Sequence, residues 1–252
     1  MNRATLLGLL ASACASVNAT VLFDNGPFVT GVGNGYSGAN TSAWTVFNTS
    51  SGPVASNIGC NANNFRVIED FTVPAGEQWT ITRFTSFAFR STTGLQDPPI
   101  SNFSQVKVAV YTTDPRLGGS IPTYGNLTDN RYESSSWTGA YRIAASAPTD
   151  RTRAIMAVNA TTQGWLPTLS SGRYWIEFGL LTTSASSPVY AVGVSPVPGD
   201  GDALQRAIAG NQPYEWAPVT TAFKLEGTSV PEPSGFLSLA VFGGAILARR
   251  KR

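Results

Sequence analysis

Short strand-like runs cut by turn residues are the feature that most limits what this chain can fold into. In "SQVKVAVYTT" (Ser104 to Thr113), Val106, Val108 and Val110 fall on one side, and Lys107, Ala109 and Tyr111 on the other. That period of two marks a half-buried strand. "FRVIEDFTV" (Phe65 to Val73), "RAIMAVNAT" (Arg153 to Thr161), "GRYWIEFGLLT" (Gly172 to Thr182), "PVYAVGVS" (Pro188 to Ser195) and "TTAFKLEGT" (Thr220 to Thr228) carry the same β-branched and aromatic chemistry. "EQWTITRFTSFAF" (Glu77 to Phe89) alternates through Trp79 and Ile81, then changes phase near Arg83, which predicts a β-bulge. Turn signals, "VPAGE", "DPRLGG", "PTLSSG" and "VPGDGD", lie between the runs.

Long amphipathic helical patterns are absent from this middle region. Many short strands at this spacing predict an all-β domain, an antiparallel two-sheet sandwich or jelly roll. One short helix is expected at Asp202 to Ala209. Two segments look alike: "VPAGEQWTI" (Val73 to Ile81) and "LPTLSSGRYWIEF" (Leu166 to Phe178) each run from proline through a glycine-containing turn into an aromatic-led strand. Shared hairpin grammar explains them better than internal duplication.

Composition removes whole mechanisms. Histidine is absent, so no Ser-His-Asp or Cys-His relay and no histidine-ligated metal can form. Of two cysteines, Cys14 lies in a segment expected to be removed. Cys60 then stands alone without a disulfide partner, and no neighbouring basic residue lowers its pKa. Residues 20–230 hold 12 basic and 14 acidic side chains. The body is therefore slightly acidic, and no basic stripe invites nucleic acid.

The remaining candidates are carboxylates and aromatics. Glu69 and Asp70 are adjacent and, in a strand, must face opposite sides. Asp70, Glu133, Glu177 and Glu215 would serve a glycosidase only if two of them converge at a set separation. Asp200 and Asp202 in "PGDGDAL" offer hard oxygen ligands on a Gly-rich loop, a weak calcium candidate set against a plain turn in which Asp202 caps the expected helix. No other metal site and no cofactor is expected. Trp79 and Trp175 lie in strands and read as core. Trp137, Trp165 and Trp216 sit in polar, loop-like contexts. Exposed rings of that kind stack on sugars, whereas buried ones would plug the end of a sandwich. Asn40, Asn48, Asn102, Asn126 and Asn159 match the glycosylation triplet, which Asn/Ser/Thr-rich loops also generate by composition.

The two ends carry the most specific statement. "MNRATLLGLLASACASVNAT" has Arg3, an apolar run too short to span a bilayer, and small or tolerated residues before Ala19. It reads as a secretory signal peptide, residues 1–19, cut after Ala19. At the other end, residues 235–248 are apolar apart from Ser238 and are followed by Arg249, Arg250, Lys251 and Arg252. As a helix this run would be about 21 Å long, short of the roughly 30 Å hydrocarbon core. It has no polar face, and the basic cluster would hold its end on the cytoplasmic side. Pro231 and Pro233 stop a helix from starting sooner.

Val230-Pro231-Glu232-Pro233, a Gly/Ala/Leu-rich apolar run and a basic cluster together resemble the PEP-CTERM sorting signal of Gram-negative bacteria. The resemblance implies an exosortase as processing partner and an inner-membrane-anchored precursor. It also implies processing near Pro231-Glu232-Pro233 and delivery to the cell surface or extracellular matrix. A retained C-terminal anchor is the simpler rival. The body also resembles the β-sandwich domains of other secreted PEP-CTERM proteins. The expected organisation is a signal peptide at 1–19, a β-sandwich at 20–228 and a sorting signal at 229–252. The expected role is structural or adhesive rather than enzymatic. A carbohydrate-binding module on exopolysaccharide and a polysaccharide-active hydrolase are the alternatives.

Overall fold

The computed structural model describes residues 19–44, 57–90, 96–115, 121–144, 146–184, 187–194, 203–208, 214–216 and 220–232. Most of the signal segment, Asn48, Asp200, Asp202, Pro233, the apolar run 235–248 and Arg249 to Arg252 lie outside the described residues.

The described residues form an all-β fold of two sheets in a sandwich-like arrangement, with no α-helix among them. One sheet runs β1 (Thr20–Asp24), β14 (Phe223–Pro231), β5 (Glu77–Phe89), β9 (Ala154–Thr161), β8 (Tyr132–Ala144), β2 (Asn40–Trp44). Beside β5, β11 (Tyr190–Val192) also pairs with β3 (Asn57–Gly59). The second sheet runs β13 (Tyr214–Trp216), β12 (Leu204–Ala207), β4 (Phe65–Val73), β10 (Gly172–Thr182), β6 (Phe103–Tyr111), β7 (Tyr124–Asn126). Pairing between strands is antiparallel except for β2 and β8, which run parallel.

The alternation seen in the sequence is what fills the space between the sheets. Val106, Val108 and Val110 of β6 are buried there with Val67 and Phe71 of β4 and Ile176 and Phe178 of β10. Phe84 and Phe223 face them from the first sheet, and the Phe84 and Phe178 rings meet at 5.1 Å across the gap. Such a pair contributes about 1 kcal/mol beyond its buried area. Phe71 lies nearly parallel to both Trp79 and Tyr174, with centroids at 6.5 and 5.6 Å. The far side of β5 is covered as well. Phe87 and Phe89 join a second cluster with Ile155, Val192 and Ala222, capped by Phe28 at 4.5 Å from Phe87.

The phase change in β5 is a bulge at Thr82: Arg83 faces Glu226, but the next partner of β14, Gly227, faces Ile81. Gly227 makes this possible, since a Cβ there would lie 2.1 Å from the Thr80 carbonyl oxygen.

Three expectations change. Residues 204–207, expected within a helix, form strand β12, because β4 and β13 both pair with them and their inward Gln205 accepts the Gly59 N–H at 3.0 Å. "ESSSWTGAY", expected as loop, is the middle of β8. Its serines face solvent in part, and a left-handed Gly139 (φ 78°) sits where the register with β9 slips. Finally, β14 runs to Pro231, three residues past the expected boundary at 228.

Candidate functional site

Carboxylates are where chemistry would begin. Glu69 and Asp70 point opposite ways, as a strand requires. Glu69 is buried between the sheets, where its Oε1 accepts the backbone N–H of Thr221 and, at 2.7 Å, the Thr221 hydroxyl. Asp70 faces outward and accepts from Arg173 Nε at 2.6 Å.

Glu177 lies on the same outer face as Asp70, one strand over: Asp70 is opposite Trp175, and Glu177 opposite Ile68. Two of the four sequence candidates thus become diagonal neighbours on one sheet face. Their environments differ sharply. Glu177 is fully buried, takes the Tyr111 hydroxyl hydrogen bond and sits 3.7 Å from Arg66. Burial pushes its carboxyl up, and the Tyr111 hydrogen bond and the Arg66 and Arg206 charges pull it partly back. Ile68, Ala109 and Leu204 surround it in register, all buried. A carboxyl held this way ties strands together in an apolar setting, and such groups persist only when hydrogen-bonded or paired.

Glu133 lies in the other sheet, on β8. It grips Arg83 through two hydrogen bonds of 3.0 Å, and Arg83 also reaches Glu226 at 3.2 Å. That contact holds Glu133 below the ordinary carboxylate range. A polar recess of about 300 Å³ opens beside these three residues, with Ala19, the residue before the expected cut, on its wall. Glu215 sits on β13 opposite Gln205.

Trp137 and Trp165 are half-buried and pack against the core. Trp137, on β8, donates its indole N–H to the Ala140 carbonyl at 3.1 Å and meets Tyr141 at 5.4 Å. Trp165, in the turn after β9, donates to the Thr161 carbonyl at 2.9 Å, with Arg131 over its ring at 5.5 Å. Trp216 is on β13, opposite Leu204. Cys60 is free and buried, and desolvation pushes its thiol well up. Among the described residues, no three acidic or cysteine side chains come together as a metal cluster. The Asn126 side-chain oxygen accepts the Thr128 N–H within its own turn, and the Asn159 amide donates across to the Ser134 hydroxyl of β8.

The Pro231-Glu232 stretch is held by more than strand β14. Pro231 of β14 pairs with Glu77, and the next residue, Glu232, makes two further hydrogen bonds. Its N–H donates to the Gly76 carbonyl at 2.8 Å, and its Oε1 accepts from the Ser171 N–H at 3.0 Å. The sequence singled out Pro231 and Glu232 but not Gly76 and Ser171. The available signal was the likeness of "VPAGEQWTI" and "LPTLSSGRYWIEF", because the two turns that hold Glu232 belong to those two segments. A scan against protein-family models and searches of curated proteins and of solved structures find no match to this chain.

Proposed function

We propose that this chain is an exported protein whose jelly-roll-like sandwich is carried to the cell surface or extracellular matrix by a C-terminal PEP-CTERM sorting signal, and serves there as a structural or adhesive component. The reading rests on the three-part tail: Pro231-Glu232-Pro233, the apolar run 235–248 and the basic cluster 249–252 follow one another directly. The position of Pro231 at the end of β14, with Glu232 directly after it, supports it, since the motif begins where that strand ends. The signal peptide at 1–19 and an exosortase as processing partner belong to the same reading. Inner-membrane anchoring through an apolar C-terminal helix precedes release.

A non-enzymatic role fits how the acidic groups are used. Asp70 and Glu133 are each in contact with an arginine, and Glu69 and Glu177 are buried in strand-to-strand ties. Deletion of residues 233–252 tests the destination. Cell fractionation should find the truncated protein released in soluble form, with the full chain at the surface. Equal surface levels of the two would overturn the sorting reading.

A further inference from the structure

The two look-alike turns lie side by side. Trp79 and Leu169 exchange backbone hydrogen bonds of 2.9 and 2.8 Å, and the Thr80 and Thr168 hydroxyls meet at 2.8 Å. Glu232 lies across both walls, bound to Gly76 on one and to Ser171 on the other. Just upstream, the Ser229 hydroxyl donates to Glu77 Oε2 at 2.8 Å, and the same oxygen takes the Trp79 indole N–H at 2.8 Å. The ladder continues beneath, with Ser229 against Trp79, Val230 against Gln78 and Pro231 against Glu77. The bond from the Ser171 N–H to the carboxylate is charge-assisted, the stronger class of hydrogen bond. The middle residue of the tail motif is therefore held at both its backbone and its side chain.

Enzymes that cut or transfer a peptide chain commonly take it as an extended strand added to their own edge. The backbone groups at the cut must be free to pair with the enzyme. Here the edge of β14 that faces β5 is already paired through Pro231, and the Glu232 N–H is bound to the Gly76 carbonyl. We propose that the folded sandwich docks its own processing motif, so that a membrane endopeptidase or transpeptidase reads Pro231-Glu232-Pro233 only after residues 229–232 lift off the two turns. This rests on the sorting reading above. Tail removal then reports on the state of the fold: an intact sandwich is processed slowly and through local opening, a loosened one faster.

Two substitutions loosen the dock without touching the motif. Ser171→Pro removes the N–H that holds the Glu232 carboxylate, and Glu77→Gln weakens the acceptor shared by Ser229 and Trp79. Hydrogen exchange on the purified full chain should show the Glu232 amide of the wild type exchanging roughly 100-fold more slowly than in a free peptide, as local protection allows. Each variant should raise that rate about tenfold and shorten the lifetime of the untrimmed precursor in exporting cells. If Ser171→Pro fails to fold, Glu77→Gln carries the test. An unprotected Glu232 amide in the wild type overturns the docking, whatever happens to the tail. Faster exchange with an unchanged trimming rate overturns the coupling. A slowly exchanging wild type that keeps Arg252 on the surface overturns the coupling and the sorting reading, while the docked geometry stands.

Discussion

Replacing Gly227 by alanine probes the joint between β14 and β5 at its tightest point. The added methyl would lie 2.1 Å from the Thr80 carbonyl oxygen, 2.9 Å from Ile81 Cα and 3.0 Å from the Thr80 carbonyl carbon. All three atoms are backbone of the neighbouring strand, so no side chain can swing aside. β5 is itself fixed by β9 on its other edge and by the Phe84 contacts to Phe178 and Phe223. The strands must separate by about 1 Å, which adds an overpacking cost of ~1–3 kcal/mol to one or two weakened ladder hydrogen bonds at ~1 kcal/mol each. The sum is about 3 kcal/mol. For a domain of this size that lowers Tm by about 6–12 °C. Thr228→Ala, next in the strand, removes atoms and should cost about 1 kcal/mol or less. Chemical denaturation of the purified protein, followed by tryptophan fluorescence, measures both. A Gly227→Ala protein within about 0.5 kcal/mol of wild type would refute the bulge at Thr82 as the reason for this glycine.

Other consequences follow from individual side chains. Phe178→Ala empties the centre of the inter-sheet core and should cost about 3–5 kcal/mol in the same assay, with a small effect counting against the two-sheet packing. The Cys60 thiol should resist alkylation at pH 8 in the native protein and react fully once it is unfolded, because it is buried and its ionisation is suppressed. Rapid native labelling would contradict that burial. The Glu177 carboxyl is raised above its ordinary 4.5, so the folded state binds its proton more tightly than the unfolded state. Its linked stability is therefore fully present below 4.5 and falls as pH rises through the raised value. Glu177→Gln should flatten that fall, and an unchanged pH slope would mean that the carboxyl is not desolvated.

Local alternation and phase were legible in the sequence because they depend on nearest neighbours in the chain. The valines of β6, the opposed Glu69 and Asp70, and the slip in β5 all follow from the two-residue period of a strand. Partners distant in sequence were not legible. "LQRA" carries good helix formers, yet pairing with β4 and β13 decides its state, as tertiary context overrides weak propensity. "ESSSWTGAY" reads as loop by composition, but serines suit the exposed face of a strand whose other face packs. Asp70 and Glu177 come together only because β4 and β10 are neighbours, more than a hundred residues apart in sequence. The likeness of "VPAGEQWTI" and "LPTLSSGRYWIEF" pointed to two similar turns, but not to their meeting at Glu232. Its donor is a backbone N–H, which every non-proline residue possesses and no sequence pattern marks.

Intact mass spectrometry of the protein recovered from the cell surface tests the central claim most directly. The expected chain begins at Thr20 and ends near Pro231-Glu232-Pro233, lacking residues 235–252. A surface protein of full C-terminal length, with Arg252 present, would contradict it.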